Sequence, residues 1–218
     1  MSQIQYQALG PLIAGEGSRA FLGLAVEADK PPQAVVIVWV PDSAEKDQAL
    51  MAKIRRETEH AARLDHPNIV TVVGFARLDE GHARVVEFAD GESLRSILTA
   101  AGKLPQGIAA RVICDACVGA HYAHIAGNDD GIPLVHGDVR PETLLVGFNG
   151  TTKVTGYGAL AFAPRELGGQ RVKGRRAHCA PEQIVGGREA ITIATDVYLL
   201  GLSLYECITG TIPWADQS

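Results

Sequence analysis

Residues 136–146 read HGDVRPETLLV, and ten positions further on Gly156-Tyr157-Gly158 closes the run TTKVTGYG. Near the N-terminus, Gly15-Glu16-Gly17-Ser18-Arg19-Ala20 clusters glycines. Such a loop lets backbone N–H groups approach an anion closely, although glycines in a hairpin also serve simply to turn the chain. Cys114 and Cys117 form one C-x-x-C inside an apolar helical pattern. Zinc would need a second pair, and Cys179 and Cys207 are scattered. No metal site is therefore expected, and the four cysteines read as reduced thiols.

The elements that must position these residues follow from periodicity and punctuation. Residues 6–40 read as strands, of which AVVIVWV (34–40) is a buried strand bounded by Pro32 and Pro41. Residues 43–64 read as one helix with Ser43 as its N-cap. HPNIVTVVGFARL and HARVVEFAD predict two further strands, and Gly91-Glu92-Ser93-Leu94 opens a short helix. A long helix is predicted over 106–126, then a turn-rich loop over 127–133. Leu144–Val146 and Thr152–Thr155 fit a hairpin. Residues 159–180 read as irregular, and 195–210 as a last apolar helix ended by Gly210. Strands first and helices later is an α+β order, with a boundary near Phe88–Gly91.

Composition narrows the class. With 46% hydrophobic and 21% charged residues the chain reads as folded, not disordered. A net charge of −5 argues against general nucleic-acid binding. Arg165, Arg171, Lys173, Arg175 and Arg176 cluster within twelve positions, as a solvated loop or a docking patch. No apolar run is long enough to span a membrane, and the first ten residues lack the pattern of a secretory leader. A cytoplasmic protein is expected.

In this order the motifs resemble a bacterial, eukaryotic-like Ser/Thr protein kinase domain over essentially the whole chain. HGDVRPET is similar to the catalytic loop H-R-D-x-K-P-x-N, and GYG to D-F-G. The 18 positions from Asp138 to Gly156 match the family spacing. Val35–Val38 is similar to V-A-I-K, Glu57 to the helix-C glutamate, His66-Pro67-Asn68 to the turn after that helix, and Val85–Gly91 to the hinge. Ala180-Pro181-Glu182 and Asp196 are similar to A-P-E and the helix-F aspartate. The resemblance implies a two-lobed, protein-kinase-like fold: a β-rich N-lobe (1–88) and a mainly helical C-lobe (89–218) that stops after the helix-F region. It also implies a nucleotide pocket of Gly15, Gly17, Leu22, Val36, Glu87, Ala89 and Leu145, with Val86 as gatekeeper.

Measured against the family, the chemistry is depleted. The phosphate-binding lysine falls on Val38, and Arg19 is the one nearby substitute cation that the sequence suggests. Without that lysine, Glu57 is expected to face solvent or an arginine. The metal-binding asparagine and aspartate fall on Thr143 and Gly156, and the arginine before Asp138 falls on Gly137. The span 159–180 holds no Ser, Thr or Tyr, so the activation segment has no phosphorylation site and no arginine to clamp one. Each lost electrostatic contact costs roughly 10²–10³ in rate. The resemblance therefore implies a catalytically inactive pseudokinase, a regulatory or protein-binding module. It requires no cofactor, and ATP or ADP without Mg²⁺ is the ligand left open to it. The alternative is an atypical Ser/Thr kinase with residual transfer through Asp138. The expected partner is a protein: an active kinase or a domain beyond Ser218. Glu182 is expected to lack its arginine, and the 197–208 helix face to expose an apolar patch.

Overall fold

A computed structural model describes residues 4–12, 19–127, 131–159 and 176–213. Gly15, Gly17 and the basic residues between 165 and 175 lie outside the described residues. The chain divides into two units: 1–65 with 71–88, and 66–70 with 89–218.

The first unit is a five-stranded antiparallel sheet with two helices. Its strands are β1 (Gln5–Pro11), β2 (Ala20–Val26), β3 (Gln33–Trp39), β4 (Val72–Leu78) and β5 (Gly81–Glu87). Their order in the sheet is β1-β2-β3-β5-β4, so the β4–β5 hairpin turns back and lays β5 against β3. Val35, Ile37, Ala83 and Val85 alternate inward on one face and pack with Tyr6, Phe21, Trp39 and Leu78. Val35, Ile37 and Val85 each contribute about 1.5–3 kcal/mol through burial. The single helix expected over 43–64 is two: α1 (Asp42–Glu45) and α2 (Gln48–Ala61). The break falls at Asp47, not Ser43, because the Asp47 carboxylate accepts the Leu50 N–H at 3.0 Å and caps α2. Ile54, Thr58 and Ala61 form the buried stripe of α2, which packs on β4.

In the second unit β6 (Gly91–Ser93), β7 (Leu144–Gly147) and β8 (Thr152–Val154) make a small sheet in that order. The helices are α3 (Leu94–Ala101), α4 (Gln106–Ala126), α5 (Pro181–Gly186) and α6 (Ile193–Thr209). Residues Ala109, Val112, Ile113, Ala116, Ala120 and Ala123 bury one face of α4 at helical spacing, and α4 packs against α6 and β8. The 66–70 segment is tied in by Asn68, whose side chain donates to the Thr152 carbonyl at 2.9 Å. Among the described residues no helix is long and apolar enough to cross a membrane. The expected apolar surface on α6 is present: Val197, Tyr198 and Tyr205 are exposed, and Tyr198, Gly201, Leu202, Tyr205 and Pro213 line a shallow cavity of about 500 Å³.

Candidate functional site

The loop around Asp138 is held by one buried carboxylate. Asp196, in the first turn of α6, accepts the N–H of His136 at 2.9 Å, the N–H of Gly137 at 2.7 Å, and a bond from His124 Nε2 at 2.8 Å. The His136 ring continues the network. Its Nδ1 accepts the Asp138 N–H at 3.1 Å, which leaves Nε2 to donate to the Thr155 carbonyl at 2.8 Å. Tyr157 packs edge-on against that ring, and burial, then the nearby Asp196 charge, pushes its phenol well above the usual tyrosine range. Gly137 has φ 72°, a left-handed conformation that suits glycine better than arginine. Gln183 Nε2 donates to the Gly137 carbonyl at 2.8 Å.

Asp138 itself is partly exposed, with one oxygen 3.4 Å from Arg140 Nε. Thr143 is already committed: its hydroxyl accepts the Arg140 N–H and donates to the Arg140 carbonyl, both at 3.0 Å, closing the short 3-10 turn Pro141–Thr143. Gly156 has φ 102°, and a Cβ there would lie 3.1 Å from His136 Nε2. The donor set does not fit a divalent cation. Thr143 turns its oxygen to the backbone, Gly156 has none, and among the described residues no three His, Cys, Asp or Glu side chains group as ligands.

Glu182 does have a partner: the Thr195 hydroxyl at the start of α6 donates to its carboxylate, and that bond lowers the Glu182 carboxyl below its ordinary value. Cys114 and Cys117 sit exposed on α4, and burial, then Cys114, raises the Cys117 thiol. Neither observation marks a reactive thiolate.

The residues assigned by resemblance to a nucleotide pocket fall in both units. In the first, Leu22, Val36 and Val86 stand directly opposite one another across β2, β3 and β5, an apolar row on one face. Glu87 follows at the end of β5, where its carboxylate accepts the Thr71 N–H at 3.0 Å. In the second unit Ala89 precedes β6 and Leu145 lies in β7. The row next to Leu22–Val36–Val86 is Ala20, Val38, Arg84 and Phe75. Arg84 is thus the cross-strand neighbour of Val38, the valine on which the resemblance puts the lysine. It is 3% exposed, and no hydrogen-bond partner meets its Nε or Nη1. Burial, opposed by the charge of Glu57, brings its guanidinium down to about 10. Glu57 does not simply face solvent: one carboxylate oxygen lies 3.7 Å from Lys53 Nζ, and the other is buried without a partner. Arg19 is exposed and directly precedes β2.

A doubled-over antiparallel sheet, a helical unit and a loop clamped by the first turn of its last long helix define a protein kinase fold. The protein kinase domain profile matches residues 11–218, and the chain belongs to that family, with relatives of bacterial Ser/Thr kinase type. It is 33% identical over 225 residues to the tyrosine-protein kinase MasK of Myxococcus xanthus, covering 98% of this chain and 34% of that protein. It is 32% identical over 180 residues to the serine/threonine-protein kinase PknB of Mycobacterium leprae, covering 79% of this chain and 28% of that one. With the serine/threonine-protein kinase PrkC of Bacillus subtilis the identity is 33% over 174 residues, covering 79% and 26%. The chain thus spans a quarter to a third of these relatives' length. The kinase domain of Mycobacterium tuberculosis PknI, solved as a cysteine-to-alanine mutant, superposes with a TM-score of 0.70 at 22% identity, covering 97% of this chain and 77% of that one.

Proposed function

We propose that this domain is a catalytically inactive, protein-kinase-like module that works by binding other proteins. One observation carries the reading. At the two positions where the family holds its metal, Gly156 has no side-chain donor and the Thr143 hydroxyl is spent on the Arg140 backbone. Phosphoryl transfer depends on positioning and charge neutralisation, and this donor set provides little of either for a Mg²⁺–phosphate group. The proposed partner is a protein, an active kinase or a further domain, met in the cytoplasm, where free thiols such as Cys114 and Cys117 persist. Nucleotide binding, where it occurs, is independent of Mg²⁺.

The second reading is an atypical kinase with residual transfer. What favours it is Asp138, kept accessible and oriented by its N–H bond to His136. The kinase names of the relatives support it as well. The test is a phosphotransfer assay with ATP and Mg²⁺ on a generic protein substrate, run beside Asp138→Asn. No transfer above the Asp138→Asn background is expected. Mg²⁺-dependent transfer that this substitution abolishes would overturn the inactive reading.

A further inference from the structure

We propose that Arg84 on β5 is the anion-binding cation of the first unit, and that it takes the phosphate end of a nucleotide from the strand next to the one that lost its lysine. The argument starts from register. Val38 and Arg84 are directly paired across β3 and β5, so their side chains share a face. Neighbouring strands lie about 4.8 Å apart, a gap that the stem of an arginine spans. Moving the charge from β3 to β5 therefore shifts its origin by one strand without removing it from the face. Val38 also has to be uncharged, because two cations directly opposite one another in a sheet repel.

Charge and burial point to a ligand. Arg84 is 3% exposed, yet its Nε and Nη1 donors have no partner. Buried groups of this kind are rare, and an unpaired charge is the costliest of them. Glu57 on α2 is the neighbouring countercharge, and its own buried oxygen is also unfilled. On α2, Lys53 lies 3.7 Å from Glu57, and Arg55 lies 5.2 Å over the ring of Phe75. A guanidinium with unpaired donors on two of its nitrogens can take phosphate oxygens. The adjoining Leu22–Val36–Val86 row offers an apolar surface suited to the flat base of the same molecule.

This inference rests on the Mg²⁺-independent form of the proposed function, and its test separates the two. Binding of ADP and of adenosine would be measured by calorimetry in EDTA, for the intact chain and for Arg84→Met and Arg84→Lys. Arg84→Met is expected to weaken ADP about 10–100-fold, the range of a charged hydrogen bond, and to leave adenosine unchanged. Arg84→Lys keeps the charge but not the fork, so its ADP affinity is expected to lie between the other two. Adding Val38→Lys to Arg84→Met returns a cation to the face and is expected to recover ADP binding. ADP affinity within about twofold of wild type in Arg84→Met, against the loss expected for a charged contact, would overturn the inference. So would wild-type protein that binds ADP no better than adenosine. Should Arg84→Met fail to fold, equal ADP affinities for Arg84→Lys and wild type would overturn it too. Phosphotransfer sensitive to Asp138→Asn would sink only the inactive reading and leave Arg84 in place.

Discussion

At the residue scale, Gly156 and Arg84 are opposite cases for stability. Gly156 sits at φ 102°, and any Cβ there presses on His136. Gly156→Asp is expected to lower stability by about 1–3 kcal/mol, the usual cost of holding a side chain in that backbone region. Urea unfolding reads this directly, and a variant as stable as wild type would mean that the 156 backbone relaxes. Arg84 is the opposite case. Its burial disfavours the charged form, so it opposes folding fully at pH below about 10, and the opposition fades as pH climbs from there toward the ordinary arginine range. Arg84→Met should therefore melt no lower than wild type, since exchanging a buried charge for an apolar chain is often neutral or stabilising. A clear drop in its melting temperature would show that the Arg84–Glu57 attraction outweighs the desolvation.

At the element scale, Arg95 of α3 joins three segments. It donates to Glu142 in the 3-10 turn at 2.9 Å and to both oxygens of Glu206 on α6, where His178 also lies 3.2 Å from one oxygen. Burial raises the Glu206 carboxyl, but the bonds from His178 and Arg95 outweigh it and hold the group below its ordinary value. A carboxylate depressed in the folded state contributes stability above its unfolded pKa and loses it as pH falls. The stability difference between wild type and Glu206→Gln should shrink as pH falls below about 4.5. A gap unchanged at about pH 3.5 would mean that Glu206 is not the titrating link.

The same scale shows what the sequence could reveal. The α4 boundaries were legible because Pro105 and Gly127 flank an unbroken apolar pattern. The break at Asp47 was not, since an aspartate among dense helical charges reads equally as cap or as surface. The clamp on His136 and Gly137 was half legible: Asp196 matched a family position, but its bonds run to main-chain N–H groups that no side-chain pattern encodes. Arg84 was missed for another reason. An arginine between Ala83 and Val85 in an apolar strand was a usable signal, yet its meaning depends on β5 lying beside β3, a crossover pairing that local periodicity does not contain.

At the scale of the whole molecule, the surface carries a more specific signal than the net charge of −5. Val197 and Tyr205 are 62% and 47% exposed on a helix whose opposite face is core. Apolar area of this kind marks interaction sites. The folded domain is expected to bind a hydrophobic fluorescent dye, and Val197→Lys with Tyr205→Lys to remove most of that signal without lowering the melting temperature. Signal unchanged in this variant would assign the dye to another surface.

The Asp196 carboxylate grips the 136–137 segment through main-chain N–H groups, which every residue except proline possesses. Such a grip does not depend on which side chains the segment carries. Selection can exchange them, as a typesetter changes letters in a fixed frame, and the path of the chain need not register the edit. Retention of a kinase-shaped loop is then a record of how the segment is fastened, and its chemistry has to be read separately, one side chain at a time.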